Sequence, residues 1–150
     1  MNMSPEEIQG RILYRDAMML VINKPAGIAV HEAHPNARHR GHHMEQYFPH
    51  LMFGLPQSPM LAHRLDKDTS GCLVVAKTRF AASALAKSFR SRDTRKIYWS
   101  LVAGVPRVKQ GRVSTYLAKG EDDEGDQKMQ VAKHGDEGAS HAVTYYAVVE

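Results

Sequence analysis

Residues 61–77, LAHRLDKDTSGCLVVAK, crowd His63, Arg64, Asp66, Lys67 and Asp68 into six positions, close on Gly71 and run into an apolar stretch. Charged side chains packed this closely ahead of a strand-like run are candidates for ligation or for acid–base and electrostatic chemistry. Asp66, Asp68, Ser70 and Gly71 fit positions 1, 3, 5 and 6 of a calcium loop, but position 12, where a bidentate Glu is needed, is Lys77. That cation removes the calcium reading. His31, His34, His39, His42, His43 and His50 form a second cluster, six of the nine histidines within twenty residues. No Cys joins them and no H-E-x-x-H pattern is present, so no metal site is assigned. Ser70 sits in TSG rather than G-x-S-x-G, which disfavours a nucleophilic hydrolase. What remains is a carboxylate, Asp66, presented on a turn beside Arg64 and followed by a basic stripe. The alternative is an Asp that caps its own turn and pairs with Arg64.

The stripe runs from Lys77 to Arg112 and holds ten Lys or Arg residues against the single acid Asp93. A near single-sign run of this length points to a polyanion such as nucleic acid. The net charge is only +4, because GEDDEGD at 120–126 gathers five acids.

The elements that must hold this turn follow from hydrophobic spacing. Apolar runs at 12–14 and 18–22 flank Arg15-Asp16 and stop at Lys24-Pro25-Ala26-Gly27, which predicts strand, turn, strand and a second tight turn. A brief extended piece follows at 28–30, then a loop-rich stretch to Pro59 with one short helix at 43–48. The β-branched run 72–78 predicts a buried strand, with Cys72 as a small core residue. Thr78 is placed to cap a helix over RFAASALAKSFRSR, with Ala81, Leu85, Ser88 and Phe89 on one face. Alternation at 95–104, and further strands in GRVSTYLAKG, QKMQVAKHG and SHAVTYYAVVE, complete an α+β pattern of mostly antiparallel strands, a few helices and long loops. With 150 residues, 43% hydrophobic and 24% charged, and no linker or repeat, one folded domain over residues 1–150 is expected. No apolar run approaches the ~18 residues of a membrane span, the start lacks a signal-peptide core, and one cysteine excludes an internal disulfide. These features predict a soluble, cytoplasmic monomer without a membrane partner.

HRLDKDTSGCLVVAKT resembles the signature of the RluA-like family of RNA pseudouridine synthases, whose H-R-L-D-x-x-T-S-G turn carries the catalytic aspartate. LYRDAMMLVINKPAGIAVHEA is similar to that family's opening strands and N-K-P-x-G turn. FAASALAKSFRSRDTRKIYWSLVAG resembles its helix and K-x-Y strand, and SHAVTYYAVVE its A-x-T-x-Y strand. The resemblance implies the pseudouridine synthase catalytic fold and cofactor-free isomerisation of uridine in rRNA or tRNA. It implies Asp66 as the catalytic carboxylate, Tyr98 as an aromatic packing on the uracil, and Arg64 in the space left by the extruded nucleotide. Arg95 and Lys96 are candidate phosphate contacts, and His63 a turn-stabilising residue. The family continues into a G-R-x-H-Q-I-R-like segment whose basic residue pairs with the aspartate. The sequence stops at Glu150 before such a segment and lacks an N-terminal S4-type module, so a truncated synthase is expected. The rival readings are a non-catalytic RNA-binding protein, an inactive truncated synthase and, more weakly, a His-rich metal-binding domain.

Overall fold

The computed structural model describes residues 2–32, 41–91, 94–121 and 127–150. Its contacts gather into two compact units, Met1–Ile97 and Tyr98–Glu150. His34, His39, Arg92, Asp93 and most of the acidic run at 120–126 lie outside the described residues.

The first unit opens with helix α1 (Pro5–Gln9), where Ser4 and Glu7 form a reciprocal capping box and Pro5 occupies the first turn. Strands β1 (Ile12–Arg15) and β2 (Met19–Lys24) are joined by a turn tied at Asp16. One carboxylate oxygen of Asp16 accepts the amides of Met18 and Met19 at 2.7 and 2.8 Å. The chain then passes through a parallel bridge between Ala29 and His43 into a 3₁₀ helix (Met44–Leu51). Strand β3 (Met60–Leu61) is only two residues long; β4 (Gly71–Ala76) and helix α2 (Arg79–Arg90) follow. The sheet order is β1-β2-β4-β3, antiparallel throughout.

Period-two alternation turns Leu20 and Ile22 of β2, and Leu73 and Val75 of β4, onto the same buried face. They pack with Ile8, Met44, Phe48 and Leu51 into a single core. Complete burial of each such side chain is worth about 1.5–3 kcal/mol, which outweighs the weak intrinsic preference of so short a sheet. Helix α2 packs on β3 and β4 through Ala81, and the Thr78 hydroxyl accepts the Ala81 amide at 3.1 Å, the expected cap. Cys72 corrects its expectation: it falls on the outward side of the pleat, in register with the exposed Asn23, and is itself exposed.

The second unit is a three-stranded antiparallel sheet of order β6-β5-β7, formed by β5 (Gln110–Glu121), β6 (Gln127–Ala132) and β7 (Ser140–Ala147). Gly111 leaves room for the ring of its register partner Tyr146: a Cβ at this position would lie 2.7 Å from Cε1, and the ring would have to shift. The strand expected over 95–104 does not form; residues 95–102 are irregular, and Ile97, Trp99 and Leu101 are exposed. Alternation alone does not make a strand when no neighbouring ladder takes up its amides and carbonyls, and among the described residues none does.

Candidate active site

The turn 62–70 is held from beneath by a single ammonium group. Lys24 continues the inward alternation of Leu20 and Ile22 and has no exposed surface. Its Nζ donates to the carbonyls of Pro25 (2.9 Å), Ile28 (2.7 Å) and Lys67 (3.0 Å), so all three N–H donors are satisfied. The Gly27 amide donates to the same Lys67 carbonyl at 2.9 Å, with Gly27 at φ +85°. The N-K-P-A-G turn therefore clasps the turn that bears Asp66 at the residue next to the aspartate. Burial pushes the Lys24 pKa down, while the nearby carboxylates of Asp68 and Asp66 oppose that shift.

Leu65 is buried, and its neighbours Arg64 and Asp66 face solvent. The Asp66 carbonyl accepts the Thr69 amide at 3.1 Å, and Gly71 at φ +118° leads the chain into β4. Among the described residues neither Asp66 nor Arg64 has an ion-pair partner. Asp66 and Arg64 therefore do not form the ion pair of the alternative reading. Two residues before Asp66 opens a shallow cavity of about 220 Å³ lined by His31, Leu61, Ala62, His63 and Arg64. His31 Nδ1 lies 3.3 Å from Oε2 of Glu45, which steadies one wall.

Arg95 and Lys96 are exposed at the end of the first unit, with Lys96 Nζ 6.0 Å from the centre of the Phe89 ring. Tyr98 opens the second unit and is 60% exposed. Lys77, counted in the basic stripe, is committed elsewhere: its Nζ donates to the Asp16 carbonyl at 2.7 Å. Among the described residues no three His, Cys, Asp or Glu side chains converge as metal ligands. Sequence reasoning treated Lys24 as part of a strand-ending turn and missed its role as a clasp; the Leu20-Ile22-Lys24 alternation was the available signal.

An exposed carboxylate on a H-R-L-D turn ahead of a buried strand, in an α+β frame of antiparallel strands, defines the class. The family model described as RNA pseudouridylate synthase matches residues 18–150, and the chain belongs to that family. It is 37% identical over 142 residues to an uncharacterized RNA pseudouridine synthase of Synechocystis sp., covering 93% of this chain and 42% of that protein. It is 34% identical to ribosomal large subunit pseudouridine synthase D of Zymomonas mobilis, covering 97% of this chain and 45% of the relative. The structure of human RNA pseudouridylate synthase domain containing 4 superposes with a TM-score of 0.71 at 29% identity, over 94% of this chain and 54% of the human one. The chain thus spans about half the length of these relatives.

Proposed function

We propose that this chain carries the catalytic carboxylate of an RNA uridine-to-pseudouridine isomerase, with Asp66 as that group. The observation that carries the proposal is an Asp66 side chain facing solvent, with no ion-pair partner among the described residues, on a turn whose backbone is fixed by the buried Lys24. The reaction breaks the bond from the ribose anomeric carbon to N1 of uracil, turns the ring and joins the same carbon to C5. The C5 proton leaves to solvent, so no redox partner is needed. Positive charge develops on the sugar as the bond breaks, and a preorganised anion beside it lowers that barrier.

The target uridine must leave its stack to reach Asp66. Arg64, two positions away, exposed and without an ion-pair partner among the described residues, is suited to fill the vacated space, while Arg95 and Lys96 contact phosphates. Tyr98 supplies an aromatic face for the uracil; the K-x-Y resemblance supports this role. Large-subunit rRNA is the proposed substrate, since the names of relatives carry it, with tRNA as the comparison substrate. The setting is cytoplasmic, in keeping with an exposed unpaired thiol at Cys72. The test uses transcripts of both RNAs labelled with tritium at uridine C5. Release of label by the wild type, and none by Asp66→Ala, is expected. RNA binding without release would instead establish a binding protein.

A further inference from the structure

Strand β3 is too short to complete its ladder. It pairs Met60 with Ala76 and Leu61 with Val75, and the next amide of β4, that of Val74, would face a carbonyl that the departing chain no longer provides. Instead the Val74 N–H donates to Nε2 of His63 at 2.9 Å. The imidazole also stacks on Phe89 of α2, with ring centres 4.0 Å apart and planes inclined by 19°. His63 therefore joins three parts of the first unit: the end of β3, the centre of β4 and the last turn of α2. Arg64 and Asp66 follow directly.

We propose that His63 is a positioning residue, its neutral ring taking the place of a strand carbonyl in the β3–β4 ladder and so setting where the turn presents Arg64 and Asp66. An acceptor at Nε2 requires the proton on Nδ1, so a doubly protonated ring cannot make this bond. Of the charged and titratable groups near the ring, Lys96, from the segment after α2, favours the neutral form, while Arg64 of its own turn and His31 line the same cavity. β4 and α2 contribute the uncharged Val74 amide and Phe89 ring. Burial above all holds the His63 pKa below its usual 6.5; the Arg64 backbone opposes this shift and Lys96 reinforces it.

The link to Asp66 rests on the function proposed above, whereas the ladder bond does not. The ladder is tested by nitrogen-15 NMR of the whole chain. His63 should show an unprotonated Nε2 at neutral pH, and the Val74 amide should exchange more slowly in the wild type than in His63→Phe, which keeps the stack but loses the acceptor. A proton on Nε2, or equal exchange in both proteins, overturns the proposal. The positioning role is tested by tritium release against pH. In His63→Phe, kcat should fall about 10- to 100-fold with little change in KM. His63→Gln, whose amide oxygen reaches the Nε2 position and does not titrate, should restore most of kcat and lose the acid decline expected of the wild type below pH 6.5. An identical acid decline in His63→Gln overturns the positioning role. Absence of tritium release from the wild type would defeat the proposed function, and the NMR result would still decide the ladder bond.

Discussion

A lysine with no exposed surface is costly unless each of its donors is met, and Lys24 meets all three with carbonyls at 2.7–3.0 Å. Lys24→Met keeps much of the volume but strips these carbonyls of a buried donor. Chemical denaturation should show a loss of about 1–3 kcal/mol, and tritium release should fall further than stability alone explains, because the Lys67 carbonyl loosens beside Asp66. Asp66→Ala should behave in the opposite manner. The side chain is exposed and has no ion-pair partner among the described residues, so stability should change by no more than about 0.5 kcal/mol while activity disappears. A large stability loss in Asp66→Ala would show the carboxylate to be structural. The turn that carries Asp66 was legible in the sequence, because a short turn before a buried strand needs no distant partner to be recognised. The clasp was less so: contact between Lys24 and Lys67 spans 43 positions and depends on Ile28 and Pro25 turning back over the same ammonium.

Elements with complete local signals formed where their residues indicated. Helix α2 has its cap, and Thr78→Ala should cost about 1 kcal/mol in a thermal or denaturant melt. The β1–β2 turn is tied by Asp16, whose pKa is lowered by hydrogen bonds from the Met18 amide, then the Met19 amide, then the Tyr14 hydroxyl. A carboxylate with a depressed folded-state pKa stabilises fully above its unfolded value, near 3.8, and that contribution is lost as pH falls through the lower folded value. Denaturation midpoints of wild type and Asp16→Asn should therefore converge as pH drops below about 4; a constant gap would contradict the turn's assigned chemistry. Less was legible where an element depends on others. The alternation at 95–104 carried the same pattern as β2, but β2 lies between β1 and β4, whereas residues 95–102 have no ladder partner among the described residues. Strand β3 was missed for the reverse reason: two residues carry no period, and they pair only because β4 offers them a ladder.

The two units differ in how they are stabilised. Among the described residues every fully buried side chain belongs to the first, while Val131 and Tyr145 of the second are 79% and 75% exposed. Native-state hydrogen exchange should therefore find the slowest amides in β2 and β4, with β5–β7 opening at lower free energy. Uniform protection across both units would contradict this ranking. The exposed basic residues Arg79, Lys87, Arg90, Arg95 and Lys96 belong to the first unit, Arg107, Lys109 and Arg112 to the second. If they bind phosphates, RNA affinity must fall steeply as salt rises, and Lys77, already bound to the Asp16 carbonyl, should contribute little to that slope. The measurement closest to the central claim is the yield of pseudouridine in large-subunit rRNA transcripts, digested to nucleosides after incubation with wild type or Asp66→Asn. Pseudouridine from the wild type alone is the predicted result; equal yields from both proteins would show that the Asp66 carboxylate is not the group on which the isomerisation depends.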